Sequence, residues 1–159
     1  LAVNPKDPTE FFVAYASGGL WHTANNGQRF RPLMDTTAGL FLGAIAVDWP
    51  RGHIWAATGE NNSSRSSYAG HGLFLSTDSG RTWQPRGLAE SHHLSRVVLH
   101  PSAPGTLWVA ALGPLFSSAP AERGIYKSTD GGATWRRTLA GPNDNTGAAD
   151  LIIDPQDPD

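Results

Sequence analysis

Ser76-Thr77-Asp78-Ser79-Gly80-Arg81-Thr82-Trp83 and Ser128-Thr129-Asp130-Gly131-Gly132-Ala133-Thr134-Trp135 spell one eight-residue pattern, S-x-D-x-G-x-T-W. It reads as a tight turn between two strands. A short carboxylate such as Asp78 or Asp130 accepts backbone N–H bonds inside a turn, and Gly80 and Gly132 permit a positive φ there. The closing indole, Trp83 or Trp135, is expected to fold back over its own hairpin and pack on its root. Thr23-Ala24-Asn25-Asn26-Gly27-Gln28-Arg29-Phe30 is a degenerate third copy.

Outward from these turns the chain repeats. Gly19-Leu20-Trp21, Gly72-Leu73-Phe74 and Gly124-Ile125-Tyr126 precede the three turns, with glycines 53 and 52 positions apart. Apolar leaders open each unit: Leu1-Ala2-Val3, Ile45-Ala46-Val47, Val97-Val98-Leu99 and Leu151-Ile152-Ile153. A second apolar run follows the first three, at 11–16, 54–57 and 107–112. Four short strands per unit of about 50 residues mark the blades of a β-propeller. The fold class is therefore all-β. The blades are expected at 1–43, 44–95 and 96–149, with 150–159 opening another. Seven such blades need about 360 residues, so the remaining blades of a larger propeller are the first expected partners. The isolated chain is expected to be insoluble, molten or oligomeric.

Position within a blade follows from residue type. The leaders are apolar throughout, as suits an inner strand covered on both faces. Alanines beside Trp55 and Trp108 allow neighbouring sheets to approach closely. Pro32 and Pro85 each lie two residues past the turn aromatic. Proline cannot donate to a ladder, so these strands are outer edges.

Bulk composition excludes several functions. Twelve Lys and Arg against fourteen Asp and Glu give a net charge of −2, without the basic footprint that nucleic acid requires. No apolar run approaches the roughly 18 residues of a membrane span. There are no cysteines, hence no disulfide framework. No cofactor motif is present, and no metal site is expected: adjacent His92 and His93 lack the spacing of a ligand pair.

The turn pattern resembles the Asp-box of sialidases, sortilin-type receptors and oligoxyloglucan-cleaving glycosidases. Between Thr58 and Trp83 the chain is similar to large bacterial proteins described as sortilin-like or BNR-repeat glycosyl hydrolases. The residues are Thr58-Gly59-Glu60-Asn61, Ser63 to Tyr68 and Gly70 to Gly72. Ser91 to Arg96, Ala110 to Gly113, Glu122-Arg123-Gly124 and Asn145-Thr146-Gly147 continue the likeness. The resemblance implies export, to the periplasm, cell surface or medium. It implies no particular activity.

Strand alternation divides the loops between two faces. The turns from first to second strand, and the Asp-boxes, lie on one face and are short. Loops at 60–71, 88–95, 114–123 and 140–149 lie on the other and are long and irregular. Binding chemistry tends to sit on such loops. The candidates there are Glu60, Arg65, His92, His93, Arg96, Arg123, Asn143, Asp144 and Asn145. Substituting Arg65, His93 or Arg96 is expected to affect binding more than stability. The competing role for Arg65, Arg96 and Arg123 is pairing with Glu60, Glu90 and Glu122 to brace loops; for Asn143 to Asn145 it is turn formation. Ser76, Asp78, Gly80, Trp83, Ser128, Asp130, Gly132 and Trp135 are assigned to structure. The ligand is expected to be a glycan or peptide. The alternative is a sialidase-like or xyloglucanase-like glycoside hydrolase, whose two carboxyls stand roughly 5–9.5 Å apart, with members among Asp35, Glu60, Glu90, Glu122 and Asp144. Asn61-Asn62-Ser63-Ser64 also contains overlapping glycosylation sequons.

Overall fold

The computed structural model describes residues 1–37, 41–62, 64–117 and 121–158. Ser63 of the sequon and residues 118–120 of the third long loop lie outside them. Among the described residues twelve strands form three antiparallel meanders. The first holds β1 (Ala2–Val3), β2 (Phe11–Tyr15), β3 (Gly19–Thr23) and β4 (Arg31–Pro32). In the second are β5 (Leu42–Asp48), β6 (His53–Thr58), β7 (Leu73–Ser76) and β8 (Gln84–Pro85). The third contains β9 (Leu94–Leu99), β10 (Leu107–Ala111), β11 (Gly124–Ser128) and β12 (Arg136–Leu139). Strand order within each sheet is chain order, so Pro32 and Pro85 do lie on outer edges. Among described residues the one helical turn is 3-10, at Ala89–Ser91.

The sheets stack face to face, and alternation along β6 shows how. Ile54 and Ala56 point to the first sheet, into a core with Phe12, Leu20, Leu33 and Met34. Trp55 and Ala57 point the other way, into a core with Leu94, Val97, Leu107 and Val109. Every second residue thus serves a different interface, the period-two rule applied to a sheet buried on both faces. Truncating one of the fully buried side chains, such as Ile54 or Leu73, costs about 2–5 kcal/mol.

The Asp-box turns are closed by their own side chains. Asp78 Oδ1 accepts from the backbone N–H groups of Arg81 (3.0 Å) and Thr82 (2.9 Å), and Oδ2 from the Thr82 hydroxyl (2.7 Å). Ser76 Oγ donates to Asp78 Oδ1 and accepts from Gly80 N–H, both at 2.8 Å. Asp130 repeats the pattern with Ser128 and Thr134. In the degenerate copy the amide oxygen of Asn25 accepts from Arg29 N–H at 2.9 Å.

The tryptophans depart from expectation. Each indole donates to a carbonyl of the preceding sheet: Trp83 Nε1 to Leu33 (2.9 Å) and Trp135 Nε1 to Arg86 (2.7 Å). The box glycine meets the same residue, since a Cβ on Gly80 would lie 2.8 Å from Leu33 Cδ1 and one on Gly132 3.1 Å from Arg86 Cβ. Positive φ and close approach both require glycine there. The physical reason is that the sheets stack: an indole at the sheet end has a neighbour's backbone to satisfy its N–H, which its own hairpin cannot offer.

Leu151–Ile153, expected to open a fourth blade, forms no strand. A strand exists through its ladder partner, and no described strand pairs with this one. The Leu151 carbonyl instead accepts from Arg96 Nε at 3.4 Å.

Candidate functional site

The inner strands of the second and third sheets carry matching irregularities at the long-loop end. Ladder register shifts between Leu42 and Ala44 in β5, and in β9 between Leu94 and Arg96. Gly43 and Ser95 are the extra residues, one unit apart in the repeat, and such bulges re-aim the chain. Asn61 joins them: its Nδ2 donates to Gly43 O (3.2 Å) and to Ser95 O (3.3 Å). That amide is therefore engaged with backbone of both inner strands. Sequence reading noted Asn61 for its sequon and for the Thr58–Asn61 likeness; the bulges that give it a role have no local signature.

Glu60 and His93 face inward beside Asn61. Both are 4% exposed, and His93 Nδ1 bonds the Glu60 carbonyl at 2.7 Å. Burial is the main cause that lowers the imidazole pKa, with the Glu60 carbonyl opposing it. Glu60 Oε2 accepts from Tyr68 N–H at 3.3 Å, and Glu60 N–H donates to Tyr68 O at 3.0 Å, closing the 60–71 loop. Gly70 N–H reaches His92 O at 2.7 Å and ties that loop to the next link. His92 is itself exposed, with φ 61°.

Arg123 is 6% exposed and holds the third loop. Its Nη1 donates to Leu112 O (2.7 Å), and its Nη2 to Pro114 O (2.6 Å) and Ser117 O (2.7 Å). Gly113, at φ +79°, gives it room: a Cβ there would lie 2.4 Å from Arg123 Cγ. The expected pairing of Arg123 with a glutamate is not what forms. A planar fork with several donors suits converging carbonyls, which leave no buried carboxylate to neutralise. The loop so held presents Phe116 outward, 80% exposed with φ 61°.

Arg96 is likewise paired elsewhere than expected, with Asp150 at 2.9 Å on the exposed surface. Arg65 is exposed. Asn143 Oδ1 accepts from Asn145 N–H (2.9 Å) and from the Thr146 hydroxyl (3.0 Å), a local turn, with Asp144 exposed at its tip. Glu122 Oε2 accepts from Glu90 N–H at 3.0 Å, and burial chiefly raises its carboxyl pKa. Three of the nine candidates, Glu60, His93 and Arg123, thus sit inside the loops as supports. Of the three for which binding was expected to suffer more than stability, His93 is buried, while Arg65 and Arg96 are exposed.

Two aromatic side chains outside the nine binding candidates stand out on this face, one of them the tyrosine that a sialidase-like reading would use as nucleophile. Tyr68, 55% exposed, stacks on Phe41 with ring centroids 4.6 Å apart and planes at 16°; Phe116 is the other. Among the described residues no three His, Asp or Glu side chains converge as a metal site requires. No described helix is long and apolar enough to cross a membrane. The opposite face, with the short turns, holds a cleft of about 710 Å³ between the second and third sheets.

Four-stranded meanders stacked through Asp-box turns define an Asp-box β-propeller segment. Residues 126–137 match the BNR/Asp-box repeat family. Among solved structures the chain is similar to an ancestral GH74 enzyme, at 26% identity and a TM-score of 0.63, over 90% of this chain and 18% of that one. It is similar also to the GH74 xyloglucanase from Xanthomonas campestris, at 21% identity and a TM-score of 0.65, over 99% and 25%. The Niastella koreensis GH74 enzyme matches at 17% identity and a TM-score of 0.55, over 88% and 29%. The chain spans less than a third of each of these relatives. No curated protein sequence matches it.

Proposed function

We propose that this chain is a glycan-binding segment of an exported propeller protein, with the ligand held on the long-loop face. The observation that carries it is the half-exposed Tyr68 ring, stiffened by stacking on Phe41. A flat ring held in place offers a sugar its apolar face at little entropic cost, and a polar rim supplies hydroxyl partners. Arg65, His92, Asn143, Asp144 and Asn145 form that rim. The supports are Glu60, His93 and Arg123. The remaining blades of the same propeller are its structural partners, since three sheets do not close a ring.

The GH74 likeness favours a glucan over a peptide and keeps a hydrolase as the second reading. Glu122 supports that second reading. Its raised carboxyl pKa is the property a general acid needs. Against it, the Glu122 and Glu60 carboxylates already accept backbone N–H bonds.

Titration of the chain with xyloglucan oligosaccharides tests the proposal. Saturable binding that weakens on Tyr68→Ala, with an unchanged melting curve, is the expected result. Binding indifferent to Tyr68, or none, overturns glycan recognition at this ring. Release of reducing ends, lost on Glu122→Gln, would establish the hydrolase instead.

A further inference from the structure

Both internal joints use equivalent places in the repeat, and the first sheet carries the same places with no described sheet against them. In the ladders Phe11, Val13 and Trp21 stand where the second sheet has Ile54, Ala56 and Phe74, and the third Leu107, Val109 and Tyr126. Those of the second and third sheets pack on the sheet before. Tyr15 holds the place of Thr58 and Ala111, which are both 0% exposed, yet is itself 54% exposed. Phe30, the aromatic of the degenerate box, is 43% exposed. Tyr15, Gly18, Trp21 and Phe30 line a hollow of about 340 Å³.

Within the chain, the residue four past a box aromatic reaches the next sheet. Met34, four past Phe30, is fully buried in the core that holds Phe74 and Trp83. A Cβ on Gly87, four past Trp83, would lie 3.1 Å from Trp135 Nε1. Leu139, four past Trp135, has no described sheet after it and is 62% exposed. Trp108, at the place of Phe12 and Trp55, is also partly open, with Lys127 Nζ 4.6 Å from its ring centroid. One end of the stack therefore offers a knob, and the other an aromatic socket of the kind that takes it.

We propose that two copies of this chain join head to tail, Leu139 of each seated against Tyr15, Trp21 and Phe30 of the other. Such a joint is heterologous, and pairing both ends closes a ring of six sheets, within the range that propellers use. A second copy brings the same side chains that further blades would bring, and association takes exposed aromatic surface out of water at both ends. Residues 150–158 compete with it, because residues 151–153 match residues 1–3 in the repeat and the incoming copy claims their place. That segment forms no strand. Arg96 holds it by an exposed ion pair to Asp150 and a 3.4 Å bond to the Leu151 carbonyl, so it yields. The joint lies on the flanks of the stack and does not depend on the glycan reading.

Sedimentation of the full chain over a range of concentrations should show one step, from one copy to two, with a Kd of about 10 µM. Tyr15→Glu and Leu139→Glu should each abolish the step, because the joint would bury a carboxylate. Both positions are exposed, so the melting curve of the dilute chain should not change. Mixed together, the two variants should recover a one-to-one pair, since one keeps the knob and the other the socket. Phe30→Trp should tighten association about fivefold without stabilising the single chain, its indole donating to the Thr138 carbonyl of the other copy as Trp83 donates to Leu33. Asp150→Asn should tighten it about threefold by loosening the competing segment. A single copy at every concentration, a pair that survives either glutamate, or mixed variants that stay apart would overturn the joint.

Discussion

The indole of Trp135 donates through Nε1 to the carbonyl of Arg86, 2.7 Å away and 49 residues earlier in the chain. With the Trp83–Leu33 bond, this makes the Asp-box a fastening between successive sheets as well as a turn within one. Trp135→Phe and Trp83→Phe keep the ring and delete the donor, stranding a carbonyl in a half-buried seam. Each is expected to lower stability by about 1–2 kcal/mol in urea unfolding. Phe30→Trp should give no matching gain, because no described carbonyl stands before it. An equal gain there would show that the indole acts within its own hairpin.

Asp78 and Asp130 respond to acid in a defined direction. Hydrogen bonds hold both carboxyls at about 2, the Thr82 and Thr134 hydroxyls contributing most. The folded value is depressed, so their stabilising effect is whole above the unfolded value near 4 and fades as pH falls toward 2. Asp78→Asn and Asp130→Asn should therefore lower the melting temperature at pH 7 and by progressively less below pH 4. A deficit that does not shrink in acid would refute the assignment.

His93 gives a second acid-sensitive contribution in a higher window. Burial favours its neutral form, so stability is present above the unfolded value near 6.5 and is lost as pH falls through the lowered folded one. An NMR titration of the ring should give a pKa below 6.5. Protection of the Gly70 amide, bonded to His92 O, should decline over the same range. A midpoint above 6.5 would contradict the burial.

Glu122 has the opposite sign. Its folded value is raised, so its contribution is complete below the unfolded value and is lost as pH rises through the folded one. Glu122→Gln keeps an acceptor for Glu90 N–H and removes the cost of a buried charge. Thermal melts should show the variant more stable than the native chain at pH 7 and equal to it below about pH 4. Destabilisation at pH 7 would mean that the charge itself is needed.

Arg123→Lys preserves charge and loses the fork. One ammonium cannot replace the three carbonyl bonds to Leu112, Pro114 and Ser117. A loss of about 2–4 kcal/mol is expected in denaturant melts, with faster hydrogen exchange across residues 112–117. A neutral substitution would return Arg123 to the ligand-binding candidates.

Legibility followed the range of the forces involved. Turn chemistry is local: Asp78, Gly80 and Thr82 lie within five residues, so their spacing announces the hairpin. Strand order is nearly local, since a meander pairs consecutive strands, and an edge proline is visible as a missing donor. Leu151–Ile153 shows the limit, because its apolar run matches the leaders and yet is not a strand.

The sequence by itself determined the repeat, the four-stranded unit, the turn residues and the division into a short-loop and a long-loop face. Each depends on contacts a few residues apart or on a period of about 52. Only the tertiary structure decided which loop residues are supports and which are surface. His92 and His93 are adjacent and alike in sequence, yet one is exposed and the other sits on the Glu60 carbonyl 33 residues away. Tertiary structure alone also placed Asn61 across two bulges. Burial and packing join residues from different sheets, and a side chain's neighbours across such a joint are written nowhere near it in the chain.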